Sequence, residues 1–230
     1  SREQFQRKIL SCYLQSLREE RILQQTSLAP LNAILEKGNT RHLRPTLFDL
    51  LAHRALEFLQ SALLTTPEPI HPFEMDQEVF FAPQKTFSRT TIATTDSASP
   101  EWNSLRLYQR LLAFHAADKT PDAKLDVDLL RLRYVHAQST LPFKDSLYLR
   151  SLKNIITGHQ GQPAADQARY MEAEWYRNRF SEDPENPVNH LLTARSICEE
   201  VLLRRDSSEG RENCRRLLQE LREKIGRAHV

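Results

Sequence analysis

Glycine is scarce in this chain of 230 residues, 5 against 12 prolines, so the tight turns on which hairpin-rich sheets depend are mostly missing and an all-β architecture is disfavoured from the outset. Uncharged stretches are missing as well. No run of 20 residues is free of charge, which leaves no segment suited to direct insertion into a membrane as a helix. Nor does one sign of charge dominate: 32 Lys and Arg stand against 30 Asp and Glu, and a net charge of +2 names neither nucleic acid nor an acidic lipid surface as partner. Five scattered glycines cannot build a phosphate-cradling loop, and no Ser or Thr sits in a GxSxG-like elbow, so phosphoryl and acyl transfer by those routes are poorly supported. No cofactor is expected.

What the chain does contain is leucine at helical spacing. Leucine far outnumbers Val and Ile, and 40% apolar against 27% charged residues is enough for a sizeable core. The fold class expected is all-α, built of helical-hairpin repeats in a tetratricopeptide-like right-handed solenoid with one long aromatic-rich loop. Residue 1 is Ser, and Phe5, Ile9, Tyr13 and Leu17 already follow i, i+4 spacing, so the chain is expected to start inside a helix as a piece of a longer protein; if that helix has lost its partner, Phe5, Ile9 and Tyr13 expose an apolar stripe. Residues 1–64 read as N-terminal helices. A short one from Ala29 to Lys37 stops at Gly38-Asn39, and a longer one from Thr46 to Leu64 is apolar at Leu47, Leu50, Leu51, Ala55, Phe58 and Leu59.

Residues 65–100 carry Pro67, Pro69, Pro72 and Pro83, which break any helix, yet also Phe73, Met75, Phe80, Phe81 and Phe87. A disordered linker lacks such aromatics, so this reads as a loop pinned by them, with Phe73, Phe80 and Phe81 buried and Thr90 to Thr95 as a short strand. Residues 101–224 read as three helical hairpins, with helix starts near Glu101, Pro121, Lys144, Pro163, Pro187 and Ser208 and a repeat of about 43 residues. Thr120-Pro121 and Asn186-Pro187 pair a cap with a first-turn proline, and Gly158 closes the third of these helices. Leu125, Leu129 and Leu132 mark one face of the helix after Pro121 and Val127, Leu130 and Tyr134 another, so it should be sandwiched between neighbours. Residues 225–230, Ile-Gly-Arg-Ala-His-Val, resemble the translated read-through of a sequencing adapter and are set aside as a non-native tail.

Asp49, His53 and Glu57 share one helix face, where carboxylate, imidazole and carboxylate could hold a metal. Without an HExxH pattern or a second ligand cluster, the stronger expectation is that a His and an Arg on this helix, His53 and Arg54, hydrogen-bond a neighbouring loop. His115 with Asp118 and Tyr134 with His136 read as solvated or capping pairs, and Trp175-Tyr176 with Ala168 and Met171 as core. Cys198 and Cys214 stand on the two arms of the last hairpin, nearly opposite one another. Either a disulfide or two small buried apolar thiols fits that placement.

The phrase Arg44-Pro-Thr-Leu-Phe-Asp-Leu-Leu-Ala-His-Arg-Ala-Leu-Glu-Phe58, which contains Asp49, His53 and Arg54, resembles a signature of bacterial alpha-2-macroglobulin-like proteins, in the helical region before their macroglobulin β-domains. Leu111 to His115, Asp126 to Arg131, Asp145 to Leu149, Ala194 to Glu199 and Ser208 to Cys214 are similar to successive parts of that region. The resemblance implies a non-enzymatic scaffold or interaction segment of a large exported protein, periplasmic or outer-membrane-associated, whose relatives include protease traps. It implies as partners the downstream macroglobulin domains of the same parent chain and, through the parent, proteases or envelope proteins. Export also implies an oxidising setting, which would allow Cys198 and Cys214 to close a loop of about 15 residues for about 3 kcal/mol, although the hairpin could fold without that bond. The family's thioester motif is absent from the sequence, and no catalytic residue is carried over. The alternative is an independent tetratricopeptide-like adaptor that binds a peptide or protein partner on a concave face, and an enzyme with a helical active site ranks third.

Overall fold

In the computed structural model of the chain, residues 2–36, 38, 41–61, 70–180, 187–203 and 207–228 are described. Residues 62–64 of the expected long helix, Pro67 and Pro69 of the loop, the stop signal at Asn39, the cap at Asn186, and His229 and Val230 lie outside them. Among the described residues every regular element is helical. The nearest approach to a sheet is one antiparallel bridge between Ser27 and Thr46, so the protein is all-α. The chain divides into two compact units, Ser1–Lys144 and Asp145–Val230.

In the first unit, helices α1 (Arg2–Ser16) and α2 (Glu20–Gln25) lead through a 3-10 turn, Ala29–Leu31, to α3 (Leu47–Leu59). α3 starts where it does because of a capping box. Thr46 Oγ1 accepts from the Asp49 N–H while the Thr46 N–H donates to Asp49 Oδ2, so two otherwise orphaned donors are satisfied. The buried face of α3 is Phe48, Asp49, Ala52, His53, Ala55, Leu56 and Leu59. Leu47, Leu50 and Leu51, expected to point inward, are only half-buried, because α1, α2 and α5 (Pro100–Phe114) cover the neighbouring side of the cylinder. α1 is rotated likewise: Leu10 and Leu17 are buried and Tyr13 stacks on Phe58 at 5.3 Å, while Phe5 is 66% exposed.

The aromatic loop packs as expected, though not by forming a strand. It contains a 3-10 turn, Glu78–Phe81, and a short helix, α4 (Gln84–Phe87). Met75, Phe80, Phe81, Phe87 and Ile92 are buried, and Phe73 is half-buried with its ring 6.1 Å from that of Phe80. Each buried ring contributes about 1.5 to 3 kcal/mol, enough to order a proline-rich segment. The backbone is satisfied from outside. Gln109 on α5 donates to the carbonyls of Phe87 and Thr90, Trp102 to Ile92, and Asn103 to Ser97. With Thr90 and Ile92 taken up by side chains, Thr90 to Thr95 has no ladder to join. This is why the expected strand does not form.

α6 (Asp122–Gln138) carries the chief anchor of this loop. Arg131, 1% exposed, donates to the carbonyls of Phe80 and Ala82, pairs through Nε and Nη2 with Asp128 Oδ1, and lies 4.4 Å above the Phe87 ring. Ser139 Oγ and the Thr140 N–H both donate to the Met75 carbonyl. α6 is therefore sandwiched as its two apolar faces require, with α5 on one side and the Glu78–Phe81 turn on another. Pro121 sits at its cap rather than in its first turn.

In the second unit, α7 (Lys144–Gly158), α8 (Pro163–Arg179), α9 (Pro187–Leu203) and α10 (Glu209–Ala228) begin within a residue of the positions expected from caps and prolines. The left-handed residue between α7 and α8 is Gly161, at φ +84°, and not Gly158, which is still helical. Trp175 near the end of α8 donates through Nε1 to Asp145 at the start of α7, so the two run antiparallel. α8, α9 and α10 pack pairwise around Ala173, Leu191, Ala194, Val201, Leu217 and Leu221. Gly210 is what lets α10 approach α8. A Cβ there would lie 2.2 Å from the Gln167 nitrogen, inside any tolerable contact.

Replacing Arg131 with Met is expected to cost about 3 to 5 kcal/mol, because it strands the buried Asp128 carboxylate and two loop carbonyls together. Urea unfolding should show the loss, and limited proteolysis should cut first between residues 70 and 99.

Candidate functional site

The densest polar cluster of the first unit joins α3 to the end of α5. His115, in a 3-10 turn His115–Ala117 just after α5, is 2% exposed and lies between two carboxylates: Nε2 is 2.9 Å from Asp49 Oδ1 and Nδ1 is 2.7 Å from Asp118 Oδ2. Asp49 is 0% exposed and completes its coordination through Oδ2, which accepts from the Thr46 N–H and hydroxyl. Burial pushes the His115 pKa down, but the hydrogen bonds and charges of Asp49 and Asp118 outweigh it, and the net shift is upward. The ring is therefore held as an imidazolium that donates from both nitrogens.

That arrangement settles its chemistry. An imidazole with both nitrogens engaged by carboxylates has no lone pair for a substrate proton, and Thr46 Oγ1 points to Asp49 rather than to the ring. The triad is an internal ion bridge. The sequence-based expectation of a solvated or capping His115 is corrected: Asp118 is partly exposed, the imidazole is not, because α3 supplies a second carboxylate from 66 residues away. The only local signal for this was the Thr46-x-x-Asp49 capping pattern, which places Asp49 but not its partner.

His53, one turn further along α3, is 7% exposed, and its Nε2 has no hydrogen-bond partner. Burial, assisted by the Arg44 charge, lowers its pKa to about 3, so it is neutral at ordinary pH. Arg54 is exposed and pairs with Glu57 at 3.4 Å. Neither His53 Nε2 nor Arg54 makes the loop hydrogen bond expected of it, since α3 turns one edge toward the interior and Arg54 toward water. Asp49, His53 and Glu57 do not converge, and among the described residues no group of three or more His, Cys, Asp or Glu is placed to hold a metal. Tyr134 is buried, its ring 6.2 Å from that of Tyr108.

In the second unit Cys198 on α9 and Cys214 on α10 are both fully buried in one apolar core, and both are free thiols. A hydrogen bond with Cys198 and burial hold the Cys214 thiol far above its ordinary pKa. Thiols buried in an apolar core are inert until exposed. Trp175 is half-buried rather than core, edge-on to Tyr176 at 5.0 Å with the Arg179 guanidinium 5.5 Å from its ring.

The chain matches no protein-family model, no curated protein and no solved structure. No helix among the described residues is long and apolar enough to cross a membrane.

Two measurements follow from this geometry. His115 binds its proton more tightly folded than unfolded, so its contribution is full below about pH 6.5 and is lost as pH rises through its raised pKa. His53 acts oppositely: the unfolded chain takes up a proton near pH 6.5 that the folded chain refuses until about pH 3, so stability falls across that window on acidification. Melting temperature against pH should peak near neutrality, and His115→Gln should remove the alkaline decline while leaving the acid one. In the reduced chain, a thiol reagent should react at once with the exposed Cys12 and with Cys198 and Cys214 only after unfolding.

Proposed function

We propose that the chain is a non-enzymatic helical scaffold or interaction segment of a large exported alpha-2-macroglobulin-like protein, with tandem hairpins forming a tetratricopeptide-like right-handed solenoid. Its partners are the macroglobulin domains downstream in the same parent chain and, through the parent, proteases or envelope proteins. One observation carries the reading. The first three of the stretches that bear the resemblance are bonded to each other: Asp49 of the Arg44–Phe58 stretch to His115 of the second, and Arg44 to Asp126 of the third through Nη2 at 3.0 Å. Motifs that recur in order along a sequence and also interlock in space behave as one structural module. Further support comes from the direction of the polar groups, since Asp49, His115, Gln109 and Arg131 are spent on internal bonds. The repeat is supported by the starts at Pro100, Lys144 and Pro187, about 43 residues apart. In the oxidising envelope that this reading places it in, Cys198 and Cys214 would close into a disulfide.

The test is to read the source gene past the codon for residue 224 and to locate its product by cell fractionation. Codons for β-rich macroglobulin domains and recovery from the envelope are expected. A stop codon with a cytosolic product would overturn the reading in favour of an independent peptide-binding adaptor.

A further inference from the structure

In the second unit the two core thiols have no route to solvent. Cys198 on α9 and Cys214 on α10 are each 0% exposed, hydrogen-bonded to one another and packed in one core with Leu191, Ala194, Leu217 and Leu221. Thiol–disulfide exchange needs a thiolate and access to its sulfur, and a closed apolar core grants neither. An oxidant must wait for a helix to lift. The attachments single out α10. Its buried side chains among the described residues are Cys214, Leu217, Leu218 and Leu221, set in a largely charged sequence, and its first turn is held by a few polar contacts. Ser208 Oγ donates to the buried Asp166 carboxylate at 2.9 Å and accepts from the Arg211 N–H, while Asn213 Nδ2 donates to Gln167 Oε1 at 3.2 Å. Gly210, against the α8 backbone at Asp166 and Gln167, lies one turn before Cys214 on the same face, so loosening this joint bares Cys214 first.

We propose that α10 is a redox latch: with both thiols reduced it lifts from α8 and α9 without the rest of the chain unfolding, a small disulfide oxidises Cys198 and Cys214 during that opening, and the new bond pins α10 to α9. The exchange balances. The Cys214 thiol loses its proton and attacks the small disulfide, which releases one thiol and leaves a mixed disulfide on Cys214. Cys198, also deprotonated, displaces the second thiol and closes the protein bond, so two electrons and two protons pass from the pair to the oxidant. Re-docking of α10 buries the bond, and the same core then shuts out reductants. The latch therefore keeps its state after the conditions that set it have changed. It extends the disulfide inferred above, but the gate is a property of this unit and does not depend on the macroglobulin reading or on a compartment.

The test exposes the reduced full chain to oxidised glutathione at pH 8, quenches with acid and an alkylating reagent, and maps each cysteine by mass spectrometry. Exposed Cys12 should react first, as an internal reference. The Cys198–Cys214 bond should follow about a hundred-fold or more slowly, yet faster than the global unfolding rate extrapolated from urea kinetics. Ser208→Ala removes the cap and the Asp166 contact and should speed closure by about ten-fold with Cys12 unchanged, while Ser208→Thr, which keeps the hydroxyl, should stay near the parent. The closed bond should survive millimolar dithiothreitol in the folded chain and be lost in urea. The proposal is overturned if the pair reacts as fast as Cys12, or if closure in the parent runs no faster than global unfolding, a comparison that holds even should Ser208→Ala fail to fold. It is equally overturned if a folded Ser208→Ala closes at the parent rate, if glutathione remains on either cysteine with no internal bond, or if dithiothreitol opens the bond without urea.

Discussion

A loop that contributes rings to a core must bring its backbone with it, and backbone carbonyls in a low-dielectric interior have to be paired. Helices satisfy their own, but the segment before α5 is too rich in proline to be one. The first unit meets this constraint with a buried guanidinium. Arg131 has five donors in a rigid plane, and it spends four of them on Asp128 and on the Phe80 and Ala82 carbonyls while its face covers the Phe87 ring. Asp128, one turn earlier on α6, neutralises the charge that would otherwise forbid burial. Gln109 and Ser139 extend the same device to Phe87, Thr90 and Met75. The buried aromatics depend on these donors as much as the donors depend on the rings for a dry environment.

The second buried charge of this unit, His115, works by the same logic on a different joint. It ties the start of α3 to the end of α5, and the Thr46 cap that starts α3 also orients the carboxylate that receives the ring. Helix initiation and tertiary contact are thus one piece of chemistry. Not every buried polar atom is satisfied in this way: Nη1 of Arg41 and Nε2 of His53 have no hydrogen-bond partner. The second unit follows a different rule. Its helices meet over an apolar core of alanine, leucine, valine and cysteine side chains, with Gly210 allowing backbone to approach backbone, and that core holds Cys198 and Cys214 as buried free thiols.

What the sequence by itself determined is the local part: an all-helical chain, the six helix starts from Pro100 onward, and the burial of Phe80 and Phe81. Those are decided by φ-restricted prolines, by caps that act within one turn, and by apolar area that has to leave water somewhere. Only the tertiary structure decided which edge of α1 and α3 faces inward, since a stripe of apolar residues covers more than 100° and the neighbours choose within it. It also decided the roles of Asp49, His115 and Arg131: each has one partner three residues away, but the partners that tie distant segments together lie 66, 66 and about 50 residues off and leave no trace in spacing. Thr90 to Thr95 shows the boundary most plainly. Its residues favour a strand, but a strand needs a second one to pair with, and the side chains of Gln109 and Trp102 reached its carbonyls instead.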